Sequence, residues 1–237
     1  MILRHHPLPA GKASRGGFTP TDLLVTLAVI FVLAAVVVPM VMRARAKSRL
    51  ETCLGNMKQV TRAVLEYADE HNRTFPRVDG SPAPGGWWHY KEQVKGYLGL
   101  TGPASSGEKV FACPDDRGYG DGGEKPLPFC HQKKYNYTSY VFNGVDLPGV
   151  PNIAGRTVAS IKRPSRTLLV MEWTAHAPLS WHDSLTRGAN TPFYNDAQSV
   201  VGFVDGRAAY TKIFYDGINA AYTRDPAPGY DYQYSGD

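Results

Sequence analysis

The chain is poor in cysteine and in charge, and both scarcities narrow what it can do. Three cysteines stand at positions 53, 113 and 130, with separations that match no zinc-ligand spacing. Charged residues make up 20% of the chain against 43% hydrophobic, a globular balance that excludes full disorder. Long apolar runs are equally scarce. There is one, and the mean hydropathy is -0.31, so a polytopic membrane protein is excluded. No Gly-x-Ser-x-Gly elbow occurs. His176, His182, Asp183 and Ser184 fall together in a stretch punctuated by Pro and Gly, and no enzyme is expected from them. No run of acids has the calcium-loop spacing of an EF-hand.

Acidic residues are missing altogether from residues 1–17, MILRHHPLPAGKASRGG, where Arg4, Lys12 and Arg15 are the charges. That stretch has no apolar core of its own, so it is not an ordinary secretory signal. The apolar run comes afterwards, at residues 23–41, LLVTLAVIFVLAAVVVPMV, with Thr26 as its one polar side chain. As a helix it spans about 28 Å, close to one hydrocarbon core. Basic residues flank it on both sides, with Arg43, Arg45, Lys47 and Arg49 following, so charge alone sets its orientation poorly.

Between leader and apolar run lies Gly16-Gly17-Phe18-Thr19-Pro20-Thr21-Asp22. This resembles the processing site of type IV pilins and type II secretion pseudopilins. The resemblance implies cleavage after Gly17, N-methylation of Phe18, and an assembly role for Asp22, where the family usually carries Glu. Pro39 falls on the position where the family often has a helix-loosening proline. An intramembrane carboxylate costs about 2.5–3.5 kcal/mol or more, so Asp22 needs a partner. In a filament, the amine that cleavage creates on a neighbour's Phe18 supplies one. Pro20 sits in the first helical turn, where its missing N–H costs little.

From residue 42 the pattern becomes amphipathic. Leu50, Cys53, Leu54, Met57, Val60, Val64, Tyr67 and Ala68 recur at spacings of three and four. A helix from about Thr19 to Asn72 is predicted, ending near His71-Asn72-Arg73 because Pro76 disfavours helix before it. It would be roughly 80 Å long. Its apolar stripe, on which Cys53 reads as a small core residue, needs a covering surface in the following domain. The segments around Cys53–Gln59, Tyr67–Asn72 and Phe75-Pro76 are also similar to pseudopilin-like proteins.

Residues 73–237 read as an α+β head. A short helix is predicted within Trp87–Leu100, and strands at Lys109–Ala112, Tyr135–Phe142, Thr167–Trp173, Ser199–Val204 and Arg207–Phe214. Asp205-Gly206 between the last two signals a hairpin with a type I′ turn. The strands form a small antiparallel sheet packed on the helix stripe. The last twenty or so residues, rich in Tyr and Gly, read as a surface tail.

Cys113-Pro114-Asp115-Asp116, Tyr140–Asn143, Pro164–Thr167 with a strand ending at Glu172-Trp173, and Asp205-Gly206 are similar to one branch of the pilin-like family. That branch closes on a His-x9-Asp-Gly motif. Here Asn195 stands in the histidine's place, which puts any role of an imidazole there in doubt.

Cys113 and Cys130 bracket a Gly- and Pro-rich loop, and a bridge across their 17-residue separation would contribute about 3 kcal/mol. Free thiols, or pairing with Cys53, are the alternatives. Some secretion pseudopilins bind calcium through a loop near the C-terminal sheet. Candidate oxygen ligands here are Asp115, Asp116 and Asp121, and then Glu172, Asn195, Asp196 and Asp205. Solvated turn aspartates are the simpler account, and no other cofactor is expected.

The resemblance implies a filament subunit. It would be a single-pass inner-membrane precursor cut by the prepilin peptidase and polymerised with its own kind and other pilin-like subunits, with its head periplasmic or extracellular. The alternative is a membrane-anchored binding module that never polymerises. The net charge of +5 invites a nucleic-acid partner, yet the leader holds three of the basic residues and no acid. Residues 18–237 carry a net charge of +2, and the Arg43–Arg49 run suits lipid headgroups or filament contacts. No nucleic-acid partner is expected.

Overall fold

The computed structural model describes residues 19–77, 86–118, 126–144, 149–175, 181–182, 197–215 and 223–237. The chain divides into two compact units, Met1–Ala46 and Lys47–Asp237, and each is described by itself.

In the first unit the described residues form the beginning of helix α1, which runs over Pro20–Glu70. Its start is fixed by a capping box. The Thr19 hydroxyl accepts the Asp22 N–H at 3.2 Å, while Asp22 Oδ2 accepts the Thr19 N–H at 2.9 Å and its hydroxyl at 2.7 Å. Pro39 stays inside the helix, although it denies the Ala35 carbonyl a hydrogen bond. The helix is long and apolar enough to cross a membrane, and its apolar side chains are exposed, Leu24 and Phe31 among them.

The second unit contains the rest of α1, helix α2 (Gly86–Val94) and strands β1 (Tyr140–Phe142), β2 (Leu168–Glu172), β3 (Gln198–Phe203) and β4 (Ala208–Lys212). This is an α+β architecture. The strands pair in the order β1-β2-β3-β4, every neighbour antiparallel. The predicted stripe of α1 is the buried one, with Cys53, Met57, Val60, Val64 and Ala68 inside and Leu50, Leu54 and Tyr67 partly so. α1 ends where expected, with Asn72 and Arg73 both in left-handed backbone, φ 54° and 57°.

The sheet is covered on both faces. Tyr140, Phe142, Val170 and Val200 belong to the cluster that includes α1. Val141, Met171, Val201 and Phe203 belong to a second cluster with Trp88, Phe214, Tyr232 and Tyr234. This explains why Leu168–Glu172 is an unbroken buried run rather than an alternating one. It also corrects the reading of the C-terminus as a surface tail. Gln233 N–H donates to the Arg166 carbonyl and the Gln233 carbonyl accepts the Leu168 N–H, a parallel bridge beside β2. Tyr234 is buried, and its hydroxyl donates to the Ala175 carbonyl at 2.6 Å.

Three other expectations differ. The strand predicted over Tyr135–Phe142 is confined to Tyr140–Phe142, because Tyr135 closes a 3-10 turn and Asn136 and Tyr137 take left-handed backbone. Lys109–Phe111 is a 3-10 turn rather than a strand, and its segment is tied to α1 by the Asn56 amide, which donates to the Lys109 and Ala112 carbonyls. The β3–β4 hairpin forms at the expected place but not through a type I′ turn. Gly206 has φ 88°, whereas Asp205 is not in left-handed backbone. Phe203 N–H donates to the Arg207 carbonyl and Gly206 N–H to the Phe203 carbonyl, giving a three-residue loop. One left-handed residue suffices there, and Gly206 supplies it.

Candidate functional site

The densest group of reactive side chains in the described residues lies on the α1 side of the sheet. α1 contributes Arg49, Cys53 and Asn56, spaced by four and three, so one helix face carries all three. Each fastens the segment 109–115: Asn56 by its two hydrogen bonds, Cys53 by a disulfide to Cys113, and Arg49 Nε by a 2.5 Å ion pair with Asp115 Oδ1. The Cys113 N–H donates to Ser139 Oγ at 3.0 Å.

The disulfide differs from the favoured pairing. Cys113 joins Cys53, and Cys130 is a free, buried thiol. Sequence proximity suggested the loop-closing pair, but the Cys113 segment is drawn to the helix by Asn56 and Arg49. Cys130 is instead placed by its N–H, which donates to Asp116 Oδ2 at 3.0 Å. Burial, with the Asp116 charge beside it, pushes its thiol pKa up to about 11.

Glu172 ends β2 and is fully buried. Its Oε2 accepts the Val200 N–H at 2.8 Å, just beyond the Met171–Val201 pair that closes the β2–β3 ladder. Its Oε1 lies 3.0 Å from His182 Nε2. His182 Nδ1 lies 3.3 Å from Asp115 Oδ2, and Nε2 is 3.8 Å from Cys113 Sγ. The imidazole is thus held between two carboxylates and beside the disulfide. It is delivered there by Trp181, whose ring packs on Phe129 and whose carbonyl accepts from Arg117. Burial pushes the His182 pKa down, but the Glu172 hydrogen bond and charge, with the Asp115 charge, outweigh burial and leave it raised. The donor atoms of Cys53, Cys113, Glu172 and His182 all lie within 4.8 Å of one another.

No family model, curated protein or solved structure matches this chain.

The acids considered for calcium are separated by the fold. Asp115 and Glu172 converge on His182. Asp116 instead accepts from Ser139 Oγ and the backbone of Cys130 and Gly118, an intramolecular clasp for its loop. Asp205 accepts the Arg207 N–H in the hairpin turn and pairs with its guanidinium. Asp121, Asn195 and Asp196 lie outside the described residues, as do Gly17 and Phe18 of the cleavage motif. His176, Asp183 and Ser184 lie outside them too, so the described part of the hydrolase-like stretch is Trp181-His182.

A second buried ionic group escaped the sequence reading. Lys91 of α2 is 0% exposed and pairs with Glu108 at 2.7 Å. Its ammonium also donates to the Asn136 carbonyl at 2.8 Å and the Tyr137 carbonyl at 3.1 Å, and lies over the Phe111 ring. Burial lowers its pKa, against the opposing pull of Glu108. Asn136 and Tyr137 are both in left-handed backbone, which aims their carbonyls at Lys91. A lone lysine within the α2 sequence gives no signal of such a site.

Proposed function

We propose that this chain is the structural subunit of a pilin-like filament, of the type II secretion pseudopilus or type IV pilus class. The observation that carries the reading is α1: a single unbroken helix whose apolar part leaves its side chains exposed, headed by the carboxylate of Asp22. Such a surface is stable only against lipid or against copies of itself. A precursor in the inner membrane uses it for the first, and a filament uses it for the second.

The leader motif adds the processing step. The prepilin peptidase cuts between Gly17 and Phe18 and methylates the new amine, and the amine of one subunit then neutralises Asp22 of another. The role is mechanical rather than catalytic, with the head displayed outside the inner membrane. The partners are other copies of the chain and other pilin-like subunits.

The capping box shapes the test, because Asp22→Ala would remove both the charge and the half of the box that the carboxylate makes with Thr19. Asp22→Asn keeps an acceptor for the Thr19 N–H and removes the charge alone. Mass spectrometry of the mature N-terminus should find cleavage after Gly17 and a methylated Phe18. Gly17→Ala should abolish cleavage. Asp22→Asn should leave cleavage intact and block filaments in imaging of native appendages. A processed Asp22→Asn chain that still assembles would rule out the charge pairing. An uncut wild-type chain found only as monomer in the membrane would favour an anchored binding module.

A further inference from the structure

Cys53, Cys113, Glu172 and His182 come from four distant parts of the sequence and bring their donor atoms within 4.8 Å of one another. We propose that, once the Cys53–Cys113 disulfide is reduced, these four groups bind one zinc ion through two thiolates, one imidazole and one carboxylate. The inference does not rest on the filament reading.

The geometry is close to what zinc requires. Zn–S bonds of about 2.3 Å, with Zn–N and Zn–O bonds of about 2.0–2.2 Å, separate tetrahedral ligand atoms by roughly 3.3–3.8 Å. Cys113 Sγ and His182 Nε2 are 3.8 Å apart already, and Glu172 Oε1 is 3.0 Å from Nε2. The two sulfurs, bonded to each other in the disulfide, would part to about 3.8 Å. Glu172 is fully buried and the His182 side chain is 4% exposed, so the site excludes water.

The supporting groups that zinc ligands need are also in place. A zinc-bound histidine commonly donates its other ring N–H to a carboxylate, and His182 Nδ1 faces Asp115 Oδ2. Asp115 is in turn held by Arg49. Glu172 keeps one oxygen on the Val200 N–H and turns the other inward. Two sulfurs and an imidazole among four donors select a borderline-soft ion and not calcium, which takes six to eight oxygens.

Exchange between the two states balances simply. Reduction breaks the S–S bond and adds two electrons and two protons, giving two thiols. A phosphine in water supplies them and becomes the phosphine oxide, taking its oxygen from water. Zinc then displaces both thiol protons to solvent, along with any proton on His182 Nε2, while the Nδ1–H stays on the ring and donates to the Asp115 carboxylate.

The test uses the full chain in detergent, oxidised and phosphine-reduced, titrated with Co²⁺ as a spectroscopic stand-in and with Zn²⁺. The reduced chain should bind one Co²⁺ with a thiolate charge-transfer band and the visible bands of tetrahedral cobalt. Zn²⁺ should bleach both and raise the melting temperature of the reduced chain. The oxidised chain should give no such band. Asp115→Asn should weaken binding 10–100-fold and keep the spectrum, and Cys130→Ala should change neither. Three outcomes would overturn the proposal. One is a reduced chain that takes up no cobalt, whether it stays folded by circular dichroism or unfolds and is not refolded by zinc. Another is an undiminished charge-transfer band in the Cys53→Ser/Cys113→Ser double variant. The last is identical metal binding by the oxidised chain.

Discussion

Adding one methyl group at Gly202 should force α1 and the sheet apart. Gly202 lies in β3 between Val170 of β2 and Ala208 of β4. A Cβ built there would sit 1.9 Å from Thr61 Oγ1, 3.1 Å from Thr61 Cβ and 3.2 Å from its Cγ2. Rotating Thr61 breaks no hydrogen bond, since its buried hydroxyl has no partner, but the Cβ contact remains too short. The helix must therefore shift. Overpacking of this kind costs about 1–3 kcal/mol, offset by roughly 0.4–1 kcal/mol from the lower entropy of an unfolded alanine. We expect Gly202→Ala to destabilise the protein by about 1–2 kcal/mol, and to lower the melting temperature by roughly 2–8 °C for a unit of this size. Thr61→Ala removes the hydroxyl that causes the worst clash. The Gly202→Ala/Thr61→Ala double variant should recover at least half of the loss, so the two changes should be non-additive by about 1 kcal/mol. Thermal unfolding of the full chain in detergent, followed by circular dichroism, reads this cycle. A Gly202→Ala chain as stable as wild type would refute the reasoning, as would two effects that add within about 0.5 kcal/mol.

Four further outcomes follow from the head. Peptide mapping without reduction should recover Cys53 joined to Cys113, and a Cys53→Ala/Cys113→Ala chain kept free of metal should lose about 4 kcal/mol, the loop-entropy value for a separation of 60 residues. A bridge containing Cys130 would contradict this. The Cys130 thiol, raised to about 11 from 9.0, favours the folded state below the unfolded thiol's pKa and ceases to as pH rises through 11. At pH 8.5 its alkylation should therefore run roughly 75-fold slower in the native chain than in urea, by mass spectrometry; equal rates would count against its burial. Lys91→Met should cost about 3–5 kcal/mol by leaving Glu108 buried without its cation, and Lys91→Met/Glu108→Gln should restore part of that in urea unfolding. Tyr232→Ala should cost about 3 kcal/mol or more, because it uncovers the second face of the sheet; a surface tail would predict almost no change.

Much of the fold was legible because local chemistry writes it. The α1 stripe, the helix end before Pro76, the α2 segment and three strands follow from periodicity and turn residues. The hairpin's place was legible from Asp205-Gly206, but its turn type was not. Which residue takes left-handed backbone depends on how β3 and β4 pair, and a three-residue loop needs it at Gly206 alone. Lys109–Ala112 has strand-like composition, yet the Asn56 amide on α1 bonds its first and last carbonyls and Lys109–Phe111 is a 3-10 turn.

The sequence by itself determined a long helix, apolar on all sides and then striped, joined to a small antiparallel α+β head, because these are written in spacings of two, three and four residues. Only the tertiary structure decided what covers the far face of the sheet, which cysteine pairs with Cys113, and where His182 goes. The physical reason is separation along the chain. Tyr234 lies 59 residues from the Ala175 carbonyl it bonds, and Cys53 lies 60 from its partner. No local pattern encodes contacts of that span; they form when α1 and the C-terminal segment close on opposite faces of one sheet. The scarcity of cysteine matching any metal spacing therefore reflects linear order alone, and folding gathers two of the three beside a buried glutamate and a histidine.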